Sequence, residues 1–313
     1  MSAPLTLTNY SALAVDPERA HRRRVYVCAA VAIALVLALA AYGFDYYLLS
    51  AADRPFSPKH HLLKPSGVIG IKLGMLGLGL FLLIFLYALR KRIGWLARRG
   101  KARHWLDFHV IAGLTAPVII AFHASFKFQG IAGMAFWIMF AVAVSGVVGR
   151  YIYAQIPRSL NSAELSLKEL EGMEADLGRE LEHQHLVPAE YLEPMMRMPT
   201  AADVRNMAAY RAMLHMLALD AARPLHIARL RIRVLGFGAT VACLGGLLRS
   251  SNAELERAIA AARRKSALSK RIVFLSRTQQ VFHLWHVVHR PFSYSFAVLA
   301  AIHIIVVISL GFL

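Results

Sequence analysis

The sequence predicts an all-α, multi-pass transmembrane helical bundle of about five spans, with a cytoplasmic helical insertion before the last span. Three observations carry this reading. Apolar residues make up 58% of the 313 and charged residues only 17%, where an ordinary soluble domain is about half apolar and about a quarter charged. Five apolar runs reach the ~20 residues that a helix needs to cross the hydrocarbon layer. The 36 Lys and Arg against 18 Asp and Glu leave a net charge of +18, which suits basic loops held against membrane lipid. The apolar excess rules out a disordered chain and turns the basic balance away from nucleic acid.

Residues 1–24 read as a cytoplasmic N-terminal segment ending in His21-Arg22-Arg23-Arg24. The apolar run after it imitates a secretory signal, but it continues to Leu49, as a spanning helix would. Transmembrane helices 1–4 occupy residues 25–153. They are Val25 to Ser50, Gly67 to Leu89 with Lys72 near its start, Trp105 to Phe126, and Gly130 to Tyr153, which is apolar until Arg150. The fifth lies in residues 281–313. In lipid every backbone polar group must be satisfied within the segment, which makes these runs helices and not strands. The stretch Arg90 to Arg103 holds seven basic residues and no acid, so it is expected in the cytoplasm, and the chain in the inner membrane of the cell.

The insertion, 154–280, differs in composition and holds 13 of the 18 acids. The spacing of Leu165, Leu167, Leu170, Met173, Leu177 and Leu181 predicts an amphipathic helix. Thr200 to Asp203 and Ser251 to Glu254 read as capping-box helix starts. Val234 to Leu248 is apolar but short, and both its flanks are basic. A crossing there would place one basic flank outside, so a buried or interfacial helix is expected.

The candidate chemistry lies in the histidines, of which there are 14. Cys28 and Cys243 are too few for a disulfide framework, a thiolate-held iron–sulfur cluster or a four-thiolate zinc site. His109 and His123 stand 14 residues apart in the third span, and His289 and His303 stand 14 apart in the last. Fourteen helical steps leave two side chains ~40° from alignment and ~21 Å apart along the axis. Two facing imidazoles at one depth can ligate one haem iron from both sides. Four histidines at one spacing on two helices therefore predict two b-type haems (protohaem IX), one near each face. Their iron ligands are His109, His123, His289 and His303. Polar groups inside a span are costly and default to function, although hydrogen-bonded core histidines are the plainer alternative for any one of them.

His286 is the substitute for His289, because His283, His286 and His289 share a stripe; as a non-ligand, it would contact a haem propionate. Pro291 is expected to interrupt the helix just after His289 and to kink it. Arg150 and Arg290 are candidate propionate partners, since the guanidinium fork matches a carboxylate; solvated anchors are the plainer reading. Gly113, Gly133, Gly146 and Gly149 offer places for close approach. Asp107 reads as a proton-handling group or an interfacial cap. His60-His61 and His183-Gln184-His185 lack acidic or thiol companions, so solvated loop residues are the plainer reading than a metal site.

With these residues in view, the chain resembles b-type cytochrome membrane modules of the cytochrome b561 and ferric-reductase-like kind. The resemblance rests on the His109 to His123 spacing, on Ser145-Gly-Val-Val-Gly-Arg-Tyr-Ile-Tyr153 with Ile156-Pro-Arg158, and on Trp285-His-Val-Val-His-Arg-Pro291 leading to His303. It covers about 100 residues in two blocks, Trp105 to Arg158 and Phe274 to Leu313, and neither the first two spans nor the insertion. The resemblance implies electron transfer across the membrane as a component of an oxidoreductase. The sequence departs from ferric reductases in having no G-x-G-x-x-G after a strand, so a redox partner subunit or quinol, with quinone as a possible further cofactor, is expected to supply electrons. The alternatives are a quinol-oxidising or metal-reducing subunit, and a non-haem transporter, sensor or membrane anchor.

Overall fold

The computed structural model describes residues 17–90, 92–156, 171–179, 181, 187–235 and 237–311. The protein is an all-α, multi-pass helical bundle, with no strand among the described residues. Its helices are α1 (Pro17–Leu48), α2 (His60–Leu63), α3 (Val68–Arg90), α4 (Gly94–Ala97), α5 (Ala102–His123), α6 (Gly130–Gln155), α7 (171–179), α8 (Ala189–Met196), α9 (Ala201–Asn206), α10 (Ala209–Val234), α11 (Phe237–Ala242) and α12 (Ala253–Ser309). Five segments are long and apolar enough to cross a membrane: Glu18–Leu48, His60–Arg90, Ala102–His123, Gly130–Gln155 and the helix Ala253–Ser309. The chain divides into two compact units, Met1–Val148 with Val288–Leu313, and Gly149–Val287.

In the first unit α3 packs along α5, and α1 also packs on α5. Leu73, Ile119 and Phe122 form the buried centre of this contact, with Leu35, Leu39 and Ile69 around them. Small residues allow the helices to approach: a side chain at Gly77 would collide with Ile120. Val31, Leu37, Leu82 and Val144 point outward and are exposed, an apolar outer surface of the kind that a bilayer covers. α5 ends where Ser125 and Phe126 adopt positive φ and the Phe126 amide donates to Ala121 O, which turns the chain out of the helix. The buried guanidinium of Arg54 donates to Tyr47 O, Leu49 O and Ser125 O. A cation is thereby set at the C-terminal ends of α1 and α5, where the helix dipoles favour it.

The second unit has cores of the soluble kind. Val187, Leu192, Met195, Leu230, Leu255 and Ile259 bury one another, and Val204, Ala212, Met216 and Phe274 form a second cluster. The capping box at Thr200 is present: its side chain accepts from the Asp203 amide while Asp203 accepts from the Thr200 amide.

The sequence reading needs four corrections. α12 begins at Ala253 and has no break at residue 281. Its cap is Asn252, whose Oδ1 accepts from the Glu254 and Leu255 amides, and not Ser251. The helix continues through Pro291. A proline inside a helix costs one hydrogen bond and not the whole ladder. Val234 to Leu248 contains only the six-residue α11 and a turn. Of the amphipathic stretch, Leu165, Leu167 and Leu170 lie outside the described residues, as do His183, Gln184 and His185, and residues 1–16 of the N-terminal segment.

Candidate functional site

The first unit contains His109 and His123 on α5 and His289 and His303 on α12, all half-buried. Two of them have a defined tautomer. His109 Nδ1 lies 3.0 Å from Ile84 O, and His123 Nδ1 lies 2.8 Å from Gly70 O, both on α3. A carbonyl only accepts, so each Nδ1 carries the proton and each Nε2 carries the lone pair. His289 Nδ1 lies 2.7 Å from Ser145 Oγ on α6. That hydroxyl also lies 2.8 Å from Val142 O, and since a hydroxyl both donates and accepts, this contact orients the ring without fixing its tautomer. Locking a histidine by a hydrogen bond on its second nitrogen is how proteins present an imidazole as a ligand.

Glycine shapes the slot for His123. A Cβ at Gly74 would stand 2.8 Å from His123 Cε1 and 3.0 Å from its Nδ1, so the imidazole packs directly against the backbone of α3 at that glycine. His303 and His123 interact electrostatically. His109 packs beside Tyr87, with ring centroids 5.2 Å apart, and it reaches α3, whereas His289 reaches α6.

The other candidates fall elsewhere. His286 belongs to the second unit, donates Nδ1 to Phe282 O one turn back on its own helix, and packs edge-on against Phe282 and Trp285. Arg290 is exposed in the first unit, and Arg150 is half-buried in the second. The four glycines divide in two. A side chain at Gly133 would hit the Phe128 backbone and one at Gly149 would hit Trp285, whereas one at Gly113 or Gly146 would meet nothing within 4 Å. His60 is tied to the Tyr46 hydroxyl at 3.1 Å. Among the described residues no three His, Cys, Asp or Glu side chains cluster as a metal cage. Haem iron differs in needing only its axial ligands from the protein.

One cluster escaped the sequence reading. His21 on α1, only 4% exposed, pairs with Asp107 on α5 at 3.0 Å and stacks on His104 at 3.5 Å between centroids. Glu18 pairs with Lys101 and Arg103 beside them. His104 Nε2 stands 3.6 Å from Glu18 Oε1, beyond hydrogen-bond reach. The Asp107 side chain is thus a partner across helices. The arginines that follow His21 had made it look like part of a basic flank.

No protein-family model, curated protein or solved structure matches the chain.

Proposed function

We propose that the protein is a b-type cytochrome of the inner membrane that carries electrons across the bilayer through two bis-histidine haems. His109 with His289, and His123 with His303, would hold the irons. The observation that carries this reading is the common tautomer of His109 and His123, 14 residues apart on α5, each with Nδ1 donating to a carbonyl of α3 and Nε2 bearing the lone pair. A relay of protons along the helices would not need the two rings locked alike, whereas a set of axial ligands does. Bound haem supplies one-electron chemistry, and an iron with two imidazoles has no position left for substrate.

The chain's own residues orient the ligands and keep water away. Ile84 O, Gly70 O and Ser145 Oγ orient three rings. Gly113 and Gly146 leave room beside the helices. Arg290 would pair with a propionate. His289 is preferred to His286 because its ring reaches across to α6, while that of His286 folds back on its own turn. Quinol, or a redox partner subunit, is the electron donor in this reading.

Purified protein should show a Soret band and two protohaems per chain by pyridine haemochrome. Alanine at His109, His123, His289 or His303 should remove one haem each, and His286→Ala should keep both. Reduction by a quinol analogue would identify quinol as the donor. A colourless preparation, or one haem per chain, would end this reading.

A further inference from the structure

The second unit, the helical unit outside the candidate site, exposes large apolar side chains on α11 and the turn that follows it. Between α10 and α12 the chain makes α11 and then a turn in which Leu244, Gly245 and Gly246 have φ of 47°, 66° and 81°. Phe237 is 88% exposed, Leu244 66% and Leu247 64%, and Val241 and Leu248 are exposed beside them. Five large apolar side chains exposed between residues 237 and 248 mark a surface that something covers.

The patch is held rigidly from beneath. Arg231 is only 6% exposed, and its Nη1 donates to Gly246 O at 2.9 Å. The same guanidinium binds both oxygens of Glu256 at 2.8 and 2.7 Å. Glu256 in turn accepts from the Ser250 amide and hydroxyl at 3.0 and 3.1 Å. Gly246 lies against the Ala228 backbone, where a Cβ would not fit. A buried, bidentate ion pair thus presents five apolar side chains to the outside.

Charge identifies what covers them. Arg229, Arg233 and Arg249 are exposed around the tip. Behind Leu247 a cleft is lined by Arg249, Arg263 and Arg271. Its acids, Asp220 and Glu256, are already paired with Lys270 and Arg231, so the cleft stays positive. An apolar tip with a basic rim matches the boundary between acyl chains and anionic headgroups. A bilayer is at hand, because the same chain has five helices long and apolar enough to cross one. α11, with six residues, is far too short to cross, so the depth is that of an interfacial segment, about 5–10 Å.

We propose that residues 237–248 insert into one leaflet of the membrane and that Arg249, Arg263 and Arg271 hold the phosphate of an anionic lipid. The test uses the full chain in nanodiscs, with Cys28→Ser and Cys243→Ala, and an environment-sensitive fluorophore on Phe237→Cys or Leu247→Cys. Leu214→Cys, on an exposed face of α10, is the control. Phe237 is the second position in case Leu247→Cys disturbs the Arg231 anchor. Lipids brominated on their acyl chains should quench positions 237 and 247 and spare 214. Replacing phosphatidylglycerol by phosphatidylcholine, or introducing Arg249→Gln or Arg263→Gln, should shift the inserted fraction toward the aqueous state, by roughly fivefold per arginine. Quenching at 237 and 247 by aqueous iodide instead would overturn the proposal. So would protection from both quenchers, which would mean that protein, such as a second copy of the chain, covers the tip.

Discussion

The two units satisfy their buried polar side chains differently. In the helical unit charge meets charge: Arg231 with Glu256, and Lys270 with Asp220. In the unit that bears the candidate ligands, His109 and His123 meet backbone carbonyls, His289 meets a hydroxyl, and Arg54 meets three carbonyls. An ion pair in the interior consumes the chemistry of both partners and serves the fold. A carbonyl on Nδ1 consumes one end of an imidazole and defines the other as its lone-pair end. The contrast is one of degree, since His286 in the second unit also gives its Nδ1 to a carbonyl, that of Phe282 on its own helix. The His21–Asp107 pair is the exception, an architectural kind of pairing set two residues from a candidate ligand.

The largest effect expected from this contrast is Arg231→Ala. It leaves the half-buried Glu256 without its cation and Gly246 O without its donor, and should cost the helical unit about 1–3 kcal/mol, read as faster hydrogen exchange in α10 and the first turns of α12. If the protein holds the haems proposed for it, their spectrum should not change. Ser145→Ala should do the reverse. It removes one hydrogen bond, about 1 kcal/mol, and should leave the helical unit intact while shifting the potential of the proposed haem at His289 by roughly 40 mV.

The smallest effect is acid sensitivity. Burial raises the Asp220 carboxyl, but hydrogen bonds from Lys270 and Tyr151 outweigh it and hold the group below its ordinary 3.8. A carboxyl lowered in the folded state contributes stability that is complete above 3.8 and is lost as the pH falls below 3.8 through the lowered value. Hydrogen exchange in α10 should accelerate over that range, and Asp220→Asn should flatten the response. Equal acid sensitivity in α3 and α5 would erase the distinction between the units.

The five apolar runs were legible because length and hydropathy decide a span locally, and the box at Thr200 was legible because it closes within four residues. Pairings over long separations were not. His21 finds Asp107 across 86 residues, and Ser145 finds His289 across 144. Gly74 looked like one of many small residues in α3 until His123 was seen lying on it. At Pro291 the local rule failed, because the helix there tolerates one missing donor. Val234 to Leu248 was expected as a buried or interfacial helix, and apolar composition does not tell that its helix, α11, has only six residues.

The acceptors for His109 and His123 belong to the main chain, and this has a consequence for descent. Side-chain drift at position 84 leaves its carbonyl where it is, so that ring keeps its orientation whatever residue stands there. Position 70 has no such freedom, because a methyl group there would run into Lys64 O and Pro65 O. Position 145 must keep a hydroxyl. In diverging copies of this gene, glycine at 70 and serine or threonine at 145 should therefore outlast the residues around them, while 84 wanders.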